Sequence, residues 1–236
     1  MRLLTLAAFV FLCACGTRAR AQAIEVAPVS ITLAPEQRTA SLTITNRGNA
    51  SMVIQVRPFA WSENLGDSKL TETAALAVSP PFAEIAPGQA QSIRLLLRQA
   101  PGAAEATYRL LIDQLAPPNA PGVRVALRIS LPVFAKPSAR TAAALQWRIV
   151  PGRPNAELEV QNRGTQHAMI VGAQVTAPSG AAIPVRTTTH PYVLAGATSR
   201  WPIENARLPG SGSVRLRVTS DAGVEETTAS VTSGAP

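Results

Sequence analysis

The sequence predicts an all-β protein built as two β-sandwich domains, and three observations predict it. Short runs alternate apolar and polar residues with a period of two, the mark of strands with one buried face. Pro, Gly and Asn break these runs at the spacing of a sandwich rather than of a βαβ unit. The pattern also stops at Lys136-Pro-Ser-Ala-Arg140 and then restarts, which divides the chain into residues 1–23, 24–137 and 138–236.

Residues 1–23 read as a secretory leader. Arg2 precedes the apolar run Leu3-Leu-Thr-Leu-Ala-Ala-Phe-Val-Phe-Leu12, and a polar stretch ends in Ala21-Gln-Ala23, a small-x-small cleavage site. Cleavage after Ala23 would start the exported chain at Ile24. The leader's apolar run is shorter than the ~18 residues that span a bilayer, and no later run reaches that length, so no stable membrane insertion is expected. Leu12-Cys-Ala-Cys15 also admits a lipoprotein reading with Cys15 acylated, although cysteine at the second position of that box is atypical. Both cysteines, Cys13 and Cys15, lie in the leader, so the exported chain is expected to rely on buried apolar area and not on a disulfide. Loss of Arg2, Arg18 and Arg20 leaves 19 basic against 14 acidic residues, a net charge of +5 instead of +8. The basic residues are dispersed, with no run and no interleaved aromatics, which argues against nucleic acid as a partner.

Taken in order, Ile24–Leu33 is expected as a first strand, with Pro28 at an edge where a missing N–H is tolerated. Ala34-Pro-Glu-Gln37 turns the chain. Ala40, Leu42 and Ile44 alternate with Ser41, Thr43 and Thr45, and Asn46-Arg-Gly-Asn49 is a turn. In Met52–Trp61, Ile54, Val56 and Pro58 oppose Val53, Gln55 and Arg57, and the bulky Phe59 and Trp61 are expected to plug the core. Residues 62–76 read as polar and irregular. A short extended segment lies between Ala77-Val-Ser-Pro-Pro81 and Ile85-Ala-Pro-Gly88, and Ser92–Arg98 is the next strand. In Ala106–Leu115, Tyr108, Leu110 and Ile112 face one way and Arg109, Leu111 and Asp113 the other. The loop Ala116-Pro-Pro-Asn-Ala-Pro-Gly122 is stiffened by its prolines.

Then comes the clearest alternation in the chain. In Gly122-Val-Arg-Val-Ala-Leu-Arg-Ile-Ser-Leu131, the residues Val123, Val125, Leu127, Ile129 and Leu131 share one parity, and the strand runs on through Pro132-Val-Phe-Ala135. It completes seven candidate strands between Ile24 and Ala135, the number an immunoglobulin-like sandwich needs. Its apolar face is open to two readings, an internal core strand or a surface offered to another protein. Beyond the linker, Leu145–Val150, Ala156–Gln161, Met169–Val175, Ile183–Arg186, Thr198–Pro202, Val214–Val218 and Thr227–Val231 read as strands. Asn162-Arg-Gly164 repeats the Asn46-Arg-Gly48 turn after a similar strand, a sign that the halves share a fold.

Catalytic signals are sparse. The two histidines, His167 and His190, sit in turn-like settings, and the nearest carboxylates, Glu157 and Glu159, alternate with Leu158 and Val160 as a solvated strand face would. That is not metal-ligand spacing, and no metal is expected. There is no phosphate-cradling glycine loop and no nucleophile elbow. A triad assembled from distant residues would make the chain a secreted hydrolase, an alternative the two histidines support poorly.

In order and spacing, Thr43-Ile-Thr-Asn46, Gln55-Val-Arg-Pro-Phe-Ala-Trp61, Ser79-Pro-Pro81, Ile93-Arg-Leu95, Tyr108-Arg-Leu-Leu-Ile-Asp-Gln-Leu115 and Ile129-Ser-Leu-Pro-Val-Phe-Ala135 resemble the periplasmic pilus chaperones, the PapD-like family. The resemblance is specific from Ile24 to Pro137, and the second half matches as a strand-rich domain of suitable length. It implies two immunoglobulin-like domains set at an angle, a periplasmic location, no enzymatic activity and no cofactor. The implied function is a chaperone that binds, folds and caps fimbrial or coat-type subunits by donor-strand complementation and hands them to an outer-membrane usher. The lent strand would present Val123, Val125, Leu127 and Ile129 to the subunit, a mode of recognition that general accounts of strand addition illustrate with chaperone–pilin pairs. Best-known members hold the subunit's C-terminal carboxylate with an Arg and a Lys at positions that correspond here to Ser30 and Pro132. Asp113 and Pro132 in their local settings are instead similar to the archaic branch, associated with spore-coat-protein-U-like subunits. The anchor would then be another cation, with Arg109, Arg94 and Arg128 as candidates. The alternative is a secreted two-domain immunoglobulin-like structural or adhesion protein, in which the alternating strand is internal core.

Overall fold

The computed structural model describes residues 24–115, 127–152, 155–187, 191–204 and 208–232. Every regular element among them is a strand, so none is a helix long and apolar enough to cross a membrane. The first half holds β1 (Ile24–Ala27), β2 (Ile31–Leu33), β3 (Thr39–Asn46), β4 (Met52–Asn64), β5 (Asp67–Glu72), β6 (Leu76–Ser79), β7 (Phe82–Ile85), β8 (Ala90–Leu97), β9 (Ala106–Leu115) and β10 (Arg128–Ala135). One sheet runs β1-β3-β8-β6 and the other β2-β10-β9-β4-β5, with β7 also paired to β4. Period-two alternation explains how they stack. Leu42 and Ile44 of β3 and Ile93, Leu95 and Leu97 of β8 meet Ile54, Val56, Leu110, Ile112, Leu131 and Val133 of the facing sheet in one buried core.

Three expectations need correction here. Residues 24–33 form two strands in different sheets, because the chain crosses from one layer to the other at Pro28-Val-Ser30. Phe59 and Trp61 do not plug this core, since their parity is the outward one of Val53, Gln55 and Arg57. Residues 62–76 are partly regular, because β4 continues to Asn64 and pairs with β5 through a hairpin at Leu65-Gly66. Both turn residues have positive φ, 52° and 88°, the backbone a tight hairpin of this twist requires. Because β5 is exposed at every position, no buried face marks it in the sequence.

The second half holds β11 (Leu145–Val150), β12 (Glu157–Asn162), β13 (Ala168–Thr176), β14 (Ala182–Val185), β15 (Tyr192–Val193), β16 (Thr198–Pro202), β17 (Gly212–Ser220) and β18 (Gly223–Val231). Seven of them pair along one path, β14-β13-β17-β18-β11-β12-β16, and β15 pairs with β13 off it. All of its strands nevertheless contribute to a single core around Trp147, Leu158, Ile170, Val193, Trp201 and Leu216, so the sheet closes over itself.

The repeated Asn-Arg-Gly turn is repeated in detail. Asn46 Nδ2 donates to the Ala50 and Ile85 carbonyls (2.7 and 2.9 Å) while Oδ1 accepts from the Gly48 N–H (2.9 Å). Asn162 Nδ2 donates to the Gln166 and Val193 carbonyls (2.8 and 3.0 Å) while Oδ1 accepts from the Gly164 N–H (2.9 Å). Each asparagine is fully buried and ties a strand end to a distant backbone, satisfying carbonyls that would otherwise be orphaned. At Gly164 a Cβ would lie 2.2 Å from the Ala142 carbonyl oxygen, so that turn admits only glycine.

Candidate functional site

Two features of the β2-β10-β9-β4-β5 sheet stand out, an open edge and an outward face. β10 pairs with β9 along its whole length, from Arg128↔Asp113 to Ala135↔Ala106. It pairs with β2 only from Val133↔Ile31 onward. Among the described residues, then, Arg128–Pro132 is bonded on the β9 side alone. Leu127 precedes the strand, and its carbonyl accepts from the Gln114 N–H (2.9 Å), extending that pairing by one residue. Leu127 is half-buried, and Ile129 leans on the edge of the first core. Val123 and Val125 lie outside the described residues.

The outward face is ordered in rows across the strands. In one row Arg109 stands between Phe59 of β4 and Pro132 of β10. The parallel pairing of β2 with β10 begins at Ile31 and Val133, so Ser30 and Pro132 are the residues immediately before it on the two strands. Pro132 and Arg109 are thus neighbours in one row, with Ser30 one residue ahead of the β2 pairing. Arg109 does not point to solvent. Its Cζ lies 3.7 Å from the Trp61 ring centroid and 5.5 Å from that of Tyr192, which comes from the second half. Burial pulls the guanidinium below its ordinary value, while Tyr192 and Glu63 oppose that pull. Glu63 follows Trp61 on the same face of β4, and burial pushes its carboxyl up to about 7, against Arg109 and the Leu194 N–H, which lower it.

The other two candidate cations lie elsewhere. Arg128 donates to Asp113 Oδ1 and Arg57 donates to Asp113 Oδ2 (2.7 Å), a triad that crosses β10, β9 and β4. The Arg128 hydrogen bond, despite some desolvation, and the one from Arg57 hold the Asp113 carboxyl below its ordinary value. Arg94 is exposed on β8, in the other sheet, so the first core separates it from β10.

The halves meet at the end of this face, where Trp61, Phe134, Leu194 and Ala197 form a third buried cluster with Tyr192 against it. His167 stacks on Phe134, with ring centroids 3.7 Å apart and planes 11° from parallel, and its Nδ1 lies 2.6 Å from the buried Glu105 carboxylate. Sequence reasoning placed His167 in a turn and overlooked Glu63, Glu105 and Tyr192. These residues come together only when the halves pack, so the one signal available was the shared parity of Trp61 and Glu63. Glu159 also departs from expectation. It is 3% exposed, held between Arg148 (Nε, 3.0 Å) and Arg200 (NH2, 2.7 Å), instead of on a solvated face. Burial pushes its carboxyl up, but the two arginines outweigh that and hold it low. Among the described residues no group of His, Cys, Asp or Glu could hold a metal ion, and His190 lies outside them.

A family model described as the N-terminal domain of pili and flagellar-assembly chaperones matches residues 23–140. No curated relative matches the sequence. Among solved structures, the chain is similar to one from the CsuC–CsuE chaperone–tip adhesion subunit pre-assembly complex of the archaic chaperone–usher Csu pili of Acinetobacter baumannii. The TM-score is 0.67 at 20% identity, covering 90% of this chain and all of that one. The YadV chaperone matches with a TM-score of 0.64 at 17% identity, covering 88% and 98%. The Salmonella enterica SafA pilin–SafB chaperone complex matches at 0.61 and 19%, covering 90% and 97%. At these identities the likeness shows the fold, two immunoglobulin-like β-sandwich domains.

Proposed function

The chain belongs to the family of pili and flagellar-assembly chaperones, and on that premise we propose that it captures an exported fimbrial or coat-type subunit by lending it the strand that ends in β10. The observation that carries this reading is the open edge at Arg128–Pro132, bonded to β9 on one side and to no described strand on the other. Such an edge is a ready template for another chain, and in a secreted protein it is a hazard unless a partner covers it. Main-chain bonds would supply affinity, while Val123, Val125, Leu127 and Ile129 fill the subunit's incomplete core. The domain limits 24–137 and 138–236, the periplasmic site of action, removal of residues 1–23 and delivery to an outer-membrane usher belong to the same proposal. The role is binding and involves no catalysis.

Arg109 is the proposed anchor for the subunit's C-terminal carboxylate. It stands opposite Pro132, one strand over, and Pro132 is one of the two positions where best-known members carry their cations. Arg128 is already committed to Asp113, and Arg94 is on the wrong sheet. Co-expression with a small strand-rich exported protein encoded beside this chain tests the proposal. A soluble stoichiometric complex is expected, lost on Leu127→Asp while the chaperone stays folded by circular dichroism. Undiminished capture by that variant overturns strand donation.

A further inference from the structure

Arg109 and Glu63 present an unusual pairing of unlike charges that do not pair. Both are largely buried where the halves meet, yet they are not closed into an ion pair, and Glu63 Oε2 is buried without a hydrogen-bonding partner among the described residues. A desolvated carboxylate with one oxygen left without a partner is costly and a desolvated guanidinium equally so, so each favours any rearrangement that satisfies it. A carboxylate arriving from outside at Arg109 would satisfy the guanidinium and add a second negative charge beside Glu63. Two carboxylates sharing one cation in a poorly solvated site do not both stay ionised, and the one with fewer donors takes the proton.

We infer that Glu63 is a built-in counter-carboxylate for Arg109, and that a ligand carboxylate docking on Arg109 drives Glu63 to take up one proton from solvent. The inference rests on the reading of Arg109 as the carboxylate anchor and makes that anchor responsive to pH. Glu105, at the same junction, is engaged with His167, and the groups nearer Glu63 do not take over this role. On β5, Ser68 is opposite Glu63, and the flanking Asp67 and Lys69 are exposed. From the second half come the Leu194 N–H and the Tyr192 hydroxyl, whose own pKa burial raises with a further push from Asp221. Arg200 of β16 spends its guanidinium on Glu159 and Glu157. Since Glu63 already titrates near 7, binding would be flat below that pH and would weaken tenfold for each unit above it.

Acetate serves as the carboxylate probe, with chloride at equal ionic strength as control, and the Trp61 indole N–H resonance as reporter in the full-length exported chain. Acetate is expected to shift that resonance and to bind about tenfold more weakly at pH 8 than at pH 6. Glu63→Gln is expected to abolish the difference, Arg109→Gln to abolish binding, and Arg109→Lys to keep both. Equal acetate affinity at the two pH values, or a pH dependence retained in Glu63→Gln, overturns the inference while leaving the anchor standing, provided Arg109→Gln still loses acetate. Acetate binding that survives Arg109→Gln, that chloride reproduces, or that is missing at both pH values overturns the anchor and the inference together.

Discussion

Glu105 and His167 join the two halves through a carboxylate whose side chain has no exposed surface. Its Oε2 accepts from the His167 backbone N–H at 3.1 Å and lies 2.6 Å from Nδ1 of the same residue. Its Oε1 has no partner among the described residues, so the carboxylate depends on His167 almost entirely. His167→Ala would leave Oε2 with the backbone N–H of residue 167 as its one donor and remove the ring stacked on Phe134, at a cost of about 2–4 kcal/mol. In urea unfolding the variant is expected to show two transitions, as the halves uncouple. An unchanged single transition would mean that the pair does not hold them together.

Leu127 and Ile129 share a parity but not an environment. Ile129 packs against the first core, whereas Leu127 sits just before β10 on the open edge. A carboxylate at 129 is therefore expected to destabilise the first sandwich by about 2–4 kcal/mol, the range for burying an unpaired charge that can partly escape to water. Leu127→Asp is expected to stay within about 0.5 kcal/mol of the parent while losing the subunit. Denaturation midpoints of the two variants, set beside co-purification, separate fold from capture. Equal destabilisation by both would make the strand internal core.

How much of this was legible in advance depends on where each signal is written. Strands with one buried face announce themselves, and Leu42/Ile44, Ile54/Val56 and Leu110/Ile112 lie where their alternation puts them. The Asn46 and Asn162 turns were visible as a repeated tripeptide, since a buried asparagine bonding its own loop needs the same local residues each time. β5 was not visible, because a strand exposed at every position carries no period to read. Nor was the role of Trp61: its parity excluded it from the first core, but the ring is buried by Phe134, Leu194 and Ala197, two of which belong to the other half. The Arg109 site was half legible, since the strand and face were readable and the Tyr192 and Glu63 company was not.

Asp113 bridges Arg57 and Arg128, and its depressed pKa sets an acid limb to stability. A carboxylate held low in the folded state adds stability above its unfolded value, near 3.8, and that stability is lost as pH falls through the lower folded value. Asp113→Asn is expected to cost about 1 kcal/mol at neutral pH and nothing in strong acid, since both arginines are partly solvated and screened. Unfolding free energies from neutral to strongly acidic pH check this. A constant difference between variant and parent would assign the loss to packing.

Glu63 acts in the opposite direction. Its carboxyl holds a proton more tightly in the folded protein, so the folded state binds more protons between about 4.5 and about 7. Stability therefore falls as pH climbs through that window and levels off above it. Partial solvation limits the loss to about 1–2 kcal/mol. Glu63→Gln is expected to flatten the curve and to be the more stable protein at pH 8. A parent whose stability does not change from pH 5 to pH 8 contradicts the burial that raises this group.

Pro132 stands opposite Arg109 across the β9–β10 pair, which makes the anchor transferable in principle. Arg109→Gln removes a cation lying 3.7 Å from the Trp61 ring, so it is expected to weaken subunit capture at least tenfold and to cost the junction about 1–2 kcal/mol. A lysine introduced by Pro132→Lys would project from the same row of the same face, with a stem long enough to bring its ammonium into Arg109's place. The double variant Arg109→Gln/Pro132→Lys is therefore expected to recover a substantial part of subunit affinity. It should not recover the lost junction stability, because lysine lacks the planar group that lies over the Trp61 ring. Capture affinity and denaturation midpoint, measured on the same three proteins, separate the two effects. Recovery of stability without recovery of capture would show that Arg109 braces the junction and does not hold the subunit.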